Sequence, residues 1–155
     1  MHKFEIELVD ETESDVDQLR LIKTAEFALD FLRMNSETEL SIALVDLAEM
    51  ERLHIEHMNE PGPTDVLSFE MDELRIPPEG QTAIPGILGD VILCPEFAAK
   101  QAAENNQDTA SELDMLLVHG ILHLLGHDHA EPDEHRIMFG LQSEILSAMK
   151  NQGGA

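Results

Sequence analysis

The run Met115–Leu125, MLLVHGILHLL, is apolar on every side of a helix except at two histidines. A helix with no solvated face has to be buried by its fold rather than laid on the surface. Buried polar rings need partners. One buried histidine is usually satisfied by a hydrogen bond in the core, but two on the same side are harder to satisfy that way. The chain of 155 residues is long enough for one domain that buries about two-thirds of its extended surface. Its 43% apolar and 26% charged residues are those of an ordinary soluble globule.

The rest of the chain supplies elements to surround that helix. Residues 3–9, KFEIELV, alternate, with Phe4, Ile6 and Leu8 on one face, and read as a half-buried strand. DETESD reads as a turn that can cap the next helix, which spans about Val16 to Met34 with a polar stripe of Lys23, Glu26, Asp30 and Arg33. A strand at 38–46, a short helix at 47–58 carrying His54 and His57, and a Pro/Gly loop at NEPGPTD follow. Next come a short strand at 65–71, a long irregular segment, and an apolar strand at 87–95 interrupted by Gly89 and Asp90. Pro95 opens a helix, Asp108 or Thr109 caps the helix that runs to Leu125, and a last helix begins after Pro132. The order β-α-β-α-β-β-α-α-α predicts an α+β fold, a small mixed sheet with helices packed on it. One domain over 1–150 and a flexible tail at 151–155 are expected.

His119 and His123 are four residues apart, so on a helix their rings lie one turn apart on the same side. Gly126 offers a left-handed helix stop, beyond which His127, Asp128 and His129 can turn back. His129 lies further past the turn than His127 and is favoured to complete a three-nitrogen set with His119 and His123. Three neutral imidazoles with an open fourth position are catalytic-zinc geometry, and one zinc per chain is expected. Iron, nickel, cobalt and copper also accept imidazole. His127 and Asp128 are then left to support the ligands or to position water or substrate.

The spacing of His119, His123, Gly126 and His129 also resembles the long zinc motif of the metzincin proteases, which gives a zincin-like metal-binding helix. Those proteases place a glutamate general base where this chain has Gly120, and glycine cannot take a proton. Glu112 is too far along the helix to replace it. Nine Lys/Arg against 32 Asp/Glu give a net charge of −23, which argues against nucleic-acid binding through a broad basic surface. It leaves room for a small cleft that handles a nucleic acid through a metal. The lone Cys94 excludes an internal disulfide and a multi-cysteine zinc site, and reads as a small buried hydrophobe. No stretch has the ~18 apolar residues of a membrane span. The acidic start MHKFEIELVDETESD reads as no signal or transit peptide, so a cytoplasmic location is expected.

Three stretches together resemble one family. HGILHLLGHDH at 119–129 is similar to the signature H-G-x-L-H-L-x-G-[YH]-D-H of the YbeY family of bacterial endoribonucleases, and PTDVLSF (63–69) and LGDVILCPEFA (88–98) follow the same family's pattern. The resemblance covers about residues 38 to 149. It implies that His119, His123 and His129 are zinc ligands and that Thr64, Asp65 and Ser68 border a substrate cleft, with Asp90 on the adjoining strand. It further implies a single-strand-specific endoribonuclease acting late in 16S ribosomal RNA 3′-end maturation and in ribosome quality control. Its partners would be ribosomal RNA and the preribosomal small subunit with its proteins, with no membrane involved. Where such chains commonly carry an arginine in the loop before TDVLSF, this one has Met58, and the cations to consider instead are Arg52, Arg75 and Arg136. The nearest acid–base groups in sequence are His127 and Asp128. A metal-dependent peptidase or small-molecule hydrolase, and a zinc-stabilised ribosome-assembly factor without catalysis, are the alternatives.

Overall fold

Alternation along the strands decides which helix covers which face of the sheet. The structure, a computed structural model, describes residues 4–58, 66–127 and 131–153. Its elements are β1 (Glu5–Asp10), α1 (Gln18–Phe31), β2 (Glu39–Leu44), α2 (Leu47–Met58), β3 (Val66–Glu70), β4 (Ile87–Leu93), α3 (Pro95–Glu104), α4 (Thr109–Leu124) and α5 (Pro132–Gly153). This is the element order expected from the sequence. The four strands form one sheet in the order β1-β2-β4-β3. β1, β2 and β4 run parallel, and β3 pairs antiparallel with β4 at the edge. The fold is therefore α+β with a small mixed sheet.

Leu40, Ile42 and Leu44 of β2 and Leu88, Val91 and Leu93 of β4 join Leu21, Ala25 and Leu29 of α1 and Leu117, Ile121 and Leu124 of α4 in the main core. On the other face, Leu67 and Ile92 pack with Met50 of α2 and with Cys94. The Cys94 side chain is fully buried, as its sequence neighbours suggest.

The interruption at Gly89 is a bulge. Register shifts by one residue between Glu39 and Leu40 opposite this point, and Gly89 has φ +142°. A Cβ there would lie 2.2 Å from the Phe69 carbonyl oxygen, so only glycine fits. The extra residue keeps Leu88 on the same face as Val91 despite their odd separation.

Local signals set the helix starts. Asp17, just after the DETESD turn, caps α1 by accepting from the Arg20 amide. Asp108 caps α4 by accepting from the Ser111 amide. Pro95 occupies the first turn of α3. The irregular segment 71–86 contains no strand or helix, but it is pinned. Leu74 and Ala83 are buried, Arg33 donates to the Pro77 carbonyl at 2.8 Å, and the Ala83 amide donates to the Arg33 carbonyl at 3.1 Å. No helix among the described residues is long and apolar enough to cross a membrane.

Candidate active site

α4 lies across β3 and β4 at its glycine. A Cβ on Gly120 would come within 2.8 Å of Val91 Cγ1, 3.1 Å of Ser68 Oγ and 3.2 Å of Val66 Cγ2. The Ser68 hydroxyl donates to the Gly120 carbonyl at 3.0 Å, tying edge strand to helix. Gly120 thus faces the sheet at the closest point of contact. A glutamate at this position has no room, so the general base of a metzincin is absent for steric as well as sequence reasons. Glu112 is buried two turns earlier and accepts from the Gln107 side chain at 2.9 Å. Seven residues of helical rise put it ~10 Å along the axis from His119.

With Gly120 against the sheet, the helix turns His119 and His123 toward α5. Both are half-buried rather than sealed in the closed core. Their ring centroids are 4.7 Å apart with the planes at 75°. His119 Nδ1 is 2.9 Å from the Gln142 side-chain oxygen of α5. That oxygen only accepts, so Nδ1 carries the proton and the lone pair is on Nε2. Gln142 is itself buried. Phe139, one turn before it on α5, packs against the His119 ring at 5.4 Å.

The helix then ends in a complete Schellman motif. Gly126 has φ +93°, its amide donates to the His123 carbonyl at 3.0 Å, and the His127 amide donates to the Leu122 carbonyl at 3.0 Å. The expected glycine reversal is present, and His127 follows directly. Burial lowers the His127 pKa below its usual value, and the positive charge of Arg75 adds to the shift. The imidazole is therefore held neutral near pH 7.

His119 and His123 come together as expected. His129, Asp128, Thr64 and Asp65 lie outside the described residues. Among the described residues, no group of three or more His, Cys, Asp or Glu side chains is placed to hold a metal. The two histidines nevertheless fit a divalent metal: they are adjacent imidazoles on one helix face, one fixed in tautomer by a buried amide, as metal-ligating histidines are. Ser68 is at the helix–strand contact under Gly120 and spends its hydrogen on the Gly120 carbonyl. Asp90 does not meet the histidines. In the β3–β4 register it pairs with Phe69, while Val91 pairs with Ser68 and faces α4. Asp90 is therefore on the α2 side of the sheet. His54 is half-buried on α2.

Near the site, Gln142 has no local signal in the sequence, and Arg75 is one of three cations that the sequence leaves undistinguished. Gln142 is 23 positions from His119, on a helix whose own pattern gives it no distinction. Arg75 is in the irregular segment, yet its side chain lies on Gly126. A groove of about 940 Å³ between α1, α4 and α5, lined by Arg20, Thr24, Asp114 and Met149, includes neither histidine. There Asp114 accepts from Arg20 at 2.8 Å and from Thr24 at 2.9 Å, which fastens α4 to α1.

A family model described as Endoribonuclease YbeY matches residues 6–150. A Thermobifida fusca protein named Endoribonuclease YbeY is 53% identical over 145 residues, with 94% of each chain covered. A protein of the same name from Cutibacterium acnes is 51% identical over 143 residues, with 92% of each chain covered. Among solved structures, the solution structure of TM1509 from Thermotoga maritima matches with a TM-score of 0.65 at 25% identity, over 95% of this chain and 90% of that one. The chain belongs to the endoribonuclease YbeY family.

Proposed function

We propose that this chain is a zinc-dependent endoribonuclease that cuts single-stranded RNA at the site built around His119 and His123. The observation that carries the reading is the pair of half-buried imidazoles on one face of α4, with His119 fixed by Gln142 at 2.9 Å. His119 and His123 would hold the metal from the helix, and His129, which follows the glycine turn in sequence, would complete the set. The chemistry a bound zinc supplies there is Lewis acidity toward phosphate and water.

The protein's own groups do the rest. The Nδ1–H of His119 donates to Gln142, which orients the ring and directs Nε2 away from α5. Gly120 seats the helix on β3 and β4, so the two rings do not drift relative to the edge strand. His127, held neutral at pH 7, can accept a proton. Asp128 is the second acid–base group, and Thr64, Asp65 and Ser68 border the substrate path. A site carried on one helix end suits an unpaired strand, because duplex recognition spans successive grooves.

The substrate is small-subunit ribosomal RNA, cut near its 3′ end late in maturation and in ribosome quality control, in the cytoplasm. The net charge of −23 gives this surface little attraction for naked RNA. Docking therefore relies on basic proteins of the preribosomal small subunit. The test uses zinc-loaded protein, a single-stranded fragment from the 3′ end of 16S RNA, and its duplex form. Cleavage of the single strand by the wild type and none by His123→Ala, with folding intact by circular dichroism, is the expected result. Equal cleavage by the variant would refute the site. A variant that folds and docks on the particle while the wild type itself cuts nothing would identify a zinc-stabilised assembly factor instead.

A further inference from the structure

The turn that ends α4 carries a cation on its back. A Cβ built on Gly126 would lie 2.6 Å from Arg75 Nε, 2.8 Å from Cζ and 3.0 Å from Cδ. The guanidinium therefore rests directly on the backbone of the residue whose amide donates to the His123 carbonyl. This position is fixed from several sides. Leu74, the preceding residue, is buried at 3% exposure. Arg75 Nη1 donates to Glu70 of β3 at 2.7 Å and to the Leu74 carbonyl at 2.7 Å. Asp72 closes the base of the segment by accepting from the Ile87 amide at 2.7 Å. The side chain is nonetheless 50% exposed.

We infer that Arg75 is a substrate-binding residue of this site, holding a phosphate of the RNA strand beside the histidine turn. This rests on the endoribonuclease reading above. The chain offers nine basic residues against 32 acidic ones, so its surface as a whole repels a polyanion. A strand reaches His119 and His123 only where a local donor offsets that repulsion. Both contacts to Glu70 and Leu74 are made by Nη1, one corner of the fork. The remaining donors are on Nε, which lies against the turn, and on Nη2. Guanidinium donors match phosphate oxygens two at a time, whereas an ammonium is a point charge. Gly126 is part of the same device: its missing side chain is what lets the guanidinium come down onto the turn.

The test compares zinc-loaded wild type, Arg75→Met, Arg75→Lys and Lys100→Met on one single-stranded RNA. Lys100 is an exposed residue of α3 and controls for the loss of one positive charge. Arg75→Met should lose about tenfold or more in kcat/KM, chiefly through KM, with bound zinc and Tm unchanged. Its log–log salt slope should fall by ~0.7, the value of one single-strand phosphate contact. Arg75→Lys should recover part of the KM and most of the salt slope, and it guards against a packing defect in the methionine variant. A wild type that cuts RNA while Arg75→Met matches Lys100→Met in KM and slope would overturn the role of Arg75 and leave the endoribonuclease reading standing. A wild type that cuts no RNA would overturn both.

Discussion

Alanine at Gly120 and alanine at Gly140 should move stability in opposite directions. Both glycines are inside helices, α4 and α5, and away from a helix the two substitutions are chemically identical. Each gains about 1 kcal/mol from helix propensity. At Gly140 a Cβ meets nothing within 4 Å, so that gain stands alone. At Gly120 the Cβ would lie 2.8 Å from Val91 Cγ1. Val91 is fully buried in β4, a strand paired on both sides, so its methyl has little room to retreat. Overpacking of this kind costs ~1–3 kcal/mol. Lifting α4 also stretches the Ser68 hydrogen bond to the Gly120 carbonyl, worth about 1 kcal/mol. Set against the propensity gain, the net loss is ~2 kcal/mol. For a domain of this size a change of 1 kcal/mol shifts Tm by ~2–4 °C. Thermal unfolding followed by circular dichroism should therefore show Gly120→Ala lower by roughly 4–8 °C and Gly140→Ala higher by roughly 2–4 °C. A Gly120→Ala protein as stable as the wild type would refute the close helix–sheet contact, and with it the steric argument against a glutamate there.

Two other substitutions or reactions follow from single contacts. Gln142→Leu keeps the buried volume but removes the acceptor for His119 Nδ1, so zinc affinity measured by competition with a chelator should fall about 10–100-fold while the fold persists; unchanged affinity would show that Gln142 does not orient the ligand. Burial pushes the Cys94 thiol pKa up, so a thiol reagent at neutral pH should label the native protein slowly and the unfolded protein at once. Rapid native labelling would contradict the position of Cys94 beneath α2.

The strand alternation at Phe4–Leu8, the Pro95 and Asp108 helix starts and the glycine stop at Gly126 are local signals, and each appears where the sequence puts it. Such features depend on a few neighbouring residues, so a single chain suffices to read them. Gly120 carried a chemical meaning in the sequence, the missing base. Its mechanical meaning, the seat of α4 on Val91 and Ser68, needs the sheet. The resemblance put Asp90 on the strand adjoining the cleft, but the bulge at Gly89 and the β3 register turn it to the opposite face. Gln142 was illegible, and Arg75 could not be separated from Arg52 and Arg136, for a related reason. Their importance comes from tertiary contacts with His119 and Gly126, and neither the α5 pattern nor the irregular segment 71–86 marks them.

The central claim is that the histidines of α4 form a metal site whose chemistry cuts RNA. It is tested most directly by the rate of single-stranded RNA cleavage as zinc is titrated into metal-free protein, for the wild type and His123→Ala together. The account predicts a wild-type rate that rises to a break at one zinc per chain and a variant that stays flat throughout. Full cleavage before any zinc is added, or a variant that follows the wild-type curve, would contradict it.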